Sequence, residues 1–467
     1  MSHSSSIPVG FSRRAFLASA TAAAAASAAT ATEAGATSAP SSAGVLLAQA
    51  KPLAGRSIRY QQRDAGAENF VRKIFAPRFE EETGCRVILE DIPQAELFAK
   101  VQIMAVAGQI GDLVFGMDDP MLVSWGYKGI LRPLDDYIAA DGYQMSQFYP
   151  AAVEALKVDG KIFGLPTAGH PGIVNLYFNR NMLAEAGIPA PDAKFPEESW
   201  TWDTILEAAR AMTKDTNGDG KPDVWGFLPS KFNGKWAFVH TRQFGGDVID
   251  TDGKTAIIGS EQGQAAYRYL SDLTWKHKVA PTPADIPAGP THSTEKIAGS
   301  NFATGQVAMF EDATILITTM QNYVKDFEWG VFPIPVGPGG SRGGTVFMNT
   351  TSITSASKDP EAAWEFLKLI CSHEAGTQKL LTNSGSPGMR PDVFQDPEVN
   401  KAFPWFQVGH KVMTEAQPVT RPANFRSTEI ANAIIQIEGK IWLNDVSPED
   451  GAKEMQAAIQ GILDEPA

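Results

Sequence analysis

Apolar and polar positions follow two periods along this chain. SIRYQ, CRVILED and GDLVFGM are short β-branched runs, while AENFVRKIFAPRFEEETG and QAELFAKVQIMAVAG repeat their apolar residues at helical spacing. Strand, helix, strand, helix, strand predicts a largely parallel sheet with helices on its faces. Phe70, Ile74 and Phe75 fall on one helical face and Leu97, Val101 and Met104 on another, so all six are predicted core.

Further along, VNLYFN has no polar face in its middle, which predicts a buried strand with Tyr177 packed inside rather than offered as a stacking surface. A helix starts at Trp202, with Ile205, Leu206, Ala209 and Met212 inward and Thr201 as its cap. Another starts at Asp359-Pro360, where the missing proline N–H is harmless, and turns Trp364, Leu367 and Ile370 inward. PTPADIPAGP and PIPVGPGGSRGG are the only low-complexity pieces past the amino terminus, and they predict loops.

The first fifty residues have another character. Ser12-Arg13-Arg14-Ala15-Phe16-Leu17 precedes a weakly hydrophobic Ala/Thr/Ser run, the pattern of a twin-arginine export signal over residues 1–50. Ala48-Gln49-Ala50 is the expected cleavage site, with Ala29-Thr30-Ala31 as a second small-x-small site, and no cysteine stands near either to take a lipid. The expectation is a periplasmic protein without a lipid anchor. No later stretch approaches the ~20 apolar residues that cross a bilayer.

Charge and chemistry then narrow the classes. The signal carries two arginines and one glutamate, so its removal takes the net charge from −13 to −14, a surface that repels nucleic acid. Roughly 417 residues would remain, enough for two or three cores. HExxH, paired CxxC and Walker-type loops are all absent. Gly337 to Gly344 is glycine-rich but has no lysine to hold phosphate.

Asp215-Thr216-Asn217-Gly218-Asp219-Gly220-Lys221-Pro222-Asp223 spaces Asp215, Asn217, Asp219, Lys221 and Asp223 as the oxygen ligands of a calcium loop. Position 12 is Gly226 instead of a bidentate Glu, so a metal site and a tight polar turn both fit.

The order of larger pieces carries a resemblance. DGKIFGLP, VNLYFN, NRNMLAEAGI and SWTWDTILEAARAMTKDTNGDGKPDVWGF are followed by FATGQVAMF at 302–310, GGTVFMN and DPEAAWEFLKLICSHEAGTQKLL. This arrangement resembles the family 1 extracellular solute-binding proteins, the sugar-capturing subunits of ATP-driven importers. The resemblance implies an α/β fold of two lobes of the Venus-flytrap type, each a mostly parallel sheet flanked by helices, joined by hinge strands. It implies one lobe from 55–165 plus 300–345 and another from 166–299 plus 346–467. It also places Cys85 and Cys371 in different lobes, as unbridged small apolar residues.

Function follows as an implication of the same resemblance: no catalysis, a monomer that captures a sugar, oligosaccharide or sugar alcohol between the lobes, and delivery to a membrane permease. Binding such a ligand takes carboxylates, arginines and an aromatic face. The positions that match contact loops are Asp118, Asp119, His170, Trp236, Glu311, Asp312, Arg342, Gly344, Thr345 and Arg390. No cofactor is required beyond the candidate calcium. Two rival readings stay open, the same fold carrying a polyamine or phosphorylated polyol, and an exported glycan-degrading enzyme using Glu311 with Asp312 or Glu197 with Glu198.

Overall fold

The structure is a computed structural model describing residues 51–64, 70–169, 175–191, 200–230, 234–285, 301–314, 316–382, 387–418, 420 and 426–466; at 117–120 it describes the backbone alone. The expected export signal lies outside the described residues. Residues 51–467 form one compact unit.

Its first sheet has the strand order β2-β1-β3-β8-β4. Strands β1 (Ser57–Arg63), β2 (Arg86–Ile92) and β3 (Leu113–Met117) are parallel. Helices α1 (Ala76–Thr83) and α2 (Leu97–Val106) lie between them in the chain, the predicted βαβαβ. Strand β4 is Leu165–Gly169, and β8 (Met348–Ile353) runs antiparallel between it and β3. The second sheet is β6-β5-β7, formed by β5 (Asn175–Asn179), β6 (Met309–Asp312) and β7 (Trp329–Pro333).

Two points of this topology differ from expectation. The named strands of the second sheet are all antiparallel, with parallel pairing there limited to bridges such as Trp225 to Val307 and Leu228 to Phe310. The chain also changes sheet elsewhere: β6 and β7, within 300–345, belong to the second sheet, whereas β8, past residue 346, belongs to the first. Pattern alone cannot assign a strand to a sheet when either face could bury it.

Two apolar cores flank the second sheet. Tyr177, Phe310 and Val331 face the core that also holds Ile58, Trp125 and Phe366. Leu176, Phe178, Met309 and Phe332 face the core of Trp202, Phe227 and Trp442. All five residues of β5 are therefore buried, as VNLYFN predicted, and the Tyr177 hydroxyl donates to the Ala313 carbonyl at 2.6 Å. Cys85 and Cys371 are buried and unbridged.

The caps hold where the sequence placed them. Thr201 accepts from the Thr204 amide at 3.1 Å and starts α5 (Trp202–Met212), which follows α4 (Arg180–Glu185); Asp359 accepts from Ala362 and starts the helix Pro360–Ile370. One expected core residue does not hold. Before α1 the chain makes a π-turn, Val71–Phe75, so that Phe70 and Phe75 meet edge to face at 4.9 Å and Ile74 is turned out, 40% exposed. The extra residue per turn breaks the 3.6 period on which the stripe was read.

A buried carboxylate joins the first sheet to the helix that covers it. Asp112 accepts from the Arg59 amide at 2.9 Å, the Ser357 hydroxyl at 2.7 Å and the Lys358 amide at 3.0 Å. Three donors lose their acceptor together if it is removed. Asp112→Ala is expected to lower unfolding stability by about 3 kcal/mol in a urea titration, while Asp112→Asn, which keeps an acceptor oxygen, should lose less.

Candidate functional site

Register decides where the site lies. Met348 pairs with Gly169 and Asn349 with Met117, so the carboxyl ends of β3 and β4 and the start of β8 share one end of the first sheet. Asn175 pairs with both Asp312 and Pro333, which defines the matching end of the second sheet. The chain passes from β4 in the first sheet to β5 in the second, and returns from β7 to β8 through 334–347. In an open α/β sheet ligands bind outside the carboxyl ends of strands where the order reverses, here between β1 and β3.

Several of the expected residues lie on segments that adjoin these ends. Asp118 and Asp119 open α3 (Asp118–Tyr127) directly after β3, with their side chains outside the described residues. His170 also lies outside them, one residue past Gly169. Asp312 is buried at the end of β6, where its Oδ1 accepts from the Ala313 amide at 2.7 Å. Burial, reinforced by the nearby Asp312 charge, pushes the Tyr177 phenol well above its usual range.

Glu311 and Trp236 sit deeper than a ligand contact loop would place them. Trp236 belongs to α6 (Gly234–Gln243), every residue of which is buried, and its ring stacks on His240 at 5.7 Å. The Glu311 carboxylate points beneath the same helix, where His240 Nε2 lies at 3.3 Å and Gln243 Nε2 donates at 3.4 Å. These two form a polar node inside the second core.

The segment 334–345 is fastened to α6 by close backbone contact. A Cβ on Gly337 would meet the Gln243 carbonyl at 2.2 Å, one on Gly339 the Gly245 amide nitrogen at 1.9 Å, and one on Gly343 the Val239 carbonyl at 2.1 Å. Gly343 also has φ +72°, which side-chain-bearing residues avoid. Arg342 donates to the Ile334 carbonyl at 2.5 Å and to Glu415 at 2.9 Å. Gly344 accepts from the Gln417 amide at 3.0 Å, and Thr345 is reached by Arg242 at 3.5 Å. Arg242 also binds Asp247, whose carboxyl burial pushes up against the pull of that arginine.

Arg390 completes the expected set from the other side. Met389, its neighbour, packs on Gly169 so closely that a Cβ there would lie 2.4 Å from the methionine sulfur. The guanidinium itself makes a two-pronged pair with Asp392, at 3.0 and 2.6 Å, and donates to Gln147 at 2.6 Å over the Phe148 ring.

Sequence reading missed His240, Gln243, Arg63 and Lys379. The helix GKWAFVHTRQ gave one signal, because it mixes large polar and apolar residues with no solvated stripe. Arg63, the last residue of β1, holds its guanidinium 5.8 Å from the Phe115 ring centre at the crevice end. Lys379 left no signal at all: it is a fully buried ammonium whose bonds go to the Thr167 and Ile370 carbonyls, at 2.7 and 3.2 Å.

The 215–223 loop is held by its own amides. Asp215 accepts from Gly218 at 2.7 Å and from Gly220 at 2.8 Å, and Asp219 accepts from Lys221 at 2.8 Å. Asn217 accepts from Asp219, and Asp223 takes the Thr216 hydroxyl and amide, bonds that hold its carboxyl below the usual range. Among the described residues no three His, Cys, Asp or Glu are grouped to hold a metal ion. Gly226 has no room to be anything else, since a Cβ would lie 2.0 Å from the Ala209 carbonyl.

Burial pushes the Lys379 ammonium down to about 8 from its ordinary 10.5. Below about pH 8 both folded and unfolded chains hold the proton, and the burial penalty is fully present. Between there and about 10.5 the folded chain has released it while the unfolded chain still binds it, so stability rises with pH. Comparing melting temperatures at pH 7.5 and 9.5 should show a positive contribution in the wild type that Lys379→Met lacks.

Comparison with known proteins adds the context. The profile of a family described as bacterial extracellular solute-binding protein matches residues 75–404. An arabinooligosaccharide-binding protein of Bacillus subtilis (strain 168) is 25% identical over 327 residues, 68% of this chain and 70% of that protein. Among solved structures, an ABC substrate-binding protein from Listeria monocytogenes in complex with cycloalternan shares 22% identity at a TM-score of 0.72, over 87% of this chain and 99% of that one. A solute-binding protein of an ABC transporter from Agrobacterium radiobacter K84, in complex with ribitol, shares 20% identity at a TM-score of 0.70, over 88% and 100%.

Proposed function

This chain belongs to the bacterial extracellular solute-binding proteins, and from that premise we propose that it captures a carbohydrate, either a sugar, an oligosaccharide or a sugar alcohol, between two lobes and delivers it to the permease of an ABC importer. Its fold is the two-lobed α/β architecture of such proteins. The observation that carries the reading is that the segments bearing Asp118, Asp119, Asp312 and Thr345 adjoin the ends of two sheets between which the chain passes twice. The sugar and polyol ligands of its relatives favour the same cargo class. Closure follows from ligand contacts made by both lobes, because a ligand shifts the equilibrium only by its differential affinity for the closed state.

Two observations weigh against an anionic cargo and against a glycosidase. Arg342 and Arg390 are already bonded to Glu415 and Asp392, so neither waits for an anion. As for a glycosidase, Glu311 and Asp312 are consecutive on a strand and point to opposite faces, which denies them a shared bond to cleave, and Glu197 and Glu198 lie outside the described residues. We assign no catalytic activity to the chain.

The family works outside the cytoplasmic membrane, and no described helix is long and apolar enough to span one. Our finer reading is twin-arginine export to the periplasm, release by cleavage without a lipid anchor, and a monomeric binding protein.

Thermal unfolding against mono- and oligosaccharides, polyols, polyamines and phosphorylated polyols tests the cargo. A ligand at 100 times its Kd should add ~2.7 kcal/mol. We expect a rise with one carbohydrate class and no turnover, whereas stabilisation by a polyamine or an anion alone would overturn the cargo.

We further propose that binding requires no cofactor and that the 215–223 loop is a self-bonded turn. Melting after chelation should match melting in calcium, and a drop that calcium restores would make the loop a metal site.

A further inference from the structure

Away from the crevice, at the far end of β5, a concavity of about 640 Å³ is lined by Arg180, Glu185, Ile188, Pro189, Ala190 and Glu328, among others. Strand β5 begins at the crevice and ends beside this hollow, five residues or roughly 15 Å later. The two places therefore lie at opposite ends of one strand.

Its charges are arranged unusually. The Arg180 guanidinium is fixed over two rings, 5.3 Å from the centre of Phe178 and 5.7 Å from that of Trp405. Among the described residues it has neither a carboxylate partner nor a side-chain hydrogen bond, although the Arg180 backbone amide donates to the Glu328 carbonyl at 2.8 Å. Glu185 is paired with Lys214 at 3.2 Å. Glu328 engages this corner through its backbone, its amide donating to Asn181 Oδ1 at 3.1 Å, and its carboxylate has no ion partner among the described residues. One fixed cation and one carboxylate thus share a hollow without reaching each other, beside an apolar wall of Ile188, Pro189 and Ala190.

We propose that this hollow is a second binding site, for a compact zwitterion with an apolar side chain, such as a free aliphatic amino acid. Its carboxylate meets Arg180, whose planar donor fork suits two parallel bonds to a carboxylate. The ammonium meets Glu328, and the side chain lies on the Ile188, Pro189 and Ala190 wall. The site does not depend on the cargo of the crevice.

Calorimetric titration of the mature protein with leucine, valine and lysine, and with N-acetylleucine and leucinamide as single-charge controls, tests the site. Leucine should bind saturably, at least tenfold tighter than either control. Arg180→Met should weaken leucine at least tenfold, Arg180→Lys less, and Glu328→Gln should abolish the advantage of leucine over N-acetylleucine. Carbohydrate-induced stabilisation should be unchanged in all three variants, which separates this site from the crevice and reports that each variant folds. Absence of saturable leucine binding, or leucine affinity unchanged in Arg180→Met, would overturn the proposal.

Discussion

The insertion of β8 between β3 and β4 is the pairing on which the rest of this molecule depends. A strand from near residue 350 closes a sheet whose other members come from the first 170 residues, with antiparallel hydrogen bonds on both of its sides. Without it β3 and β4 would each present an open edge, and the Thr351 hydroxyl would lose its contacts with Tyr60 at 2.8 Å and Thr167 at 3.0 Å. The same return compels the chain to pass a second time between the sheets.

Much of the architecture was legible because burial and periodicity agree. The parallel β1, β2 and β3, the buried β5 and the capped helices at Trp202 and Pro360 each follow from local pattern and cap chemistry. What escaped was non-local. Strand β8 is buried on both faces, so nothing in MNTTSI says which sheet receives it. At Ile74 a π-turn shifted the helical phase by one residue, which no count of apolar spacing can foresee.

The candidate site was legible as a set of loops but not as a set of exposures. Asp118, Asp119, Asp312 and Thr345 lie on segments that adjoin strand ends, since loop position relative to strands is a topological property. Whether a side chain meets solvent or interior depends on packing from distant segments. Trp236 lies on a helix buried along its whole length, Glu311 is covered by that helix, and Arg342 is engaged by Glu415, a residue 73 positions away. His240 and Gln243 lacked a motif because their partner, Glu311, comes from another part of the chain.

The glycine-rich crossing shows how such a protein can alter its cargo without losing its frame. A Cβ at Gly337, Gly339 or Gly343 would meet backbone atoms of the α6 region first, and at Gly337 and Gly343 the Gln243 side chain as well. Sequence changes along that helix, at Gln243 apart, leave the backbone contacts at these three positions intact, while any side chain at the glycines themselves collides with that backbone. Diversification in this region is thereby channelled: with α6 buried along its whole length, change is left to the flanking loops, and the three glycines stay locked as the template on which that drift occurs.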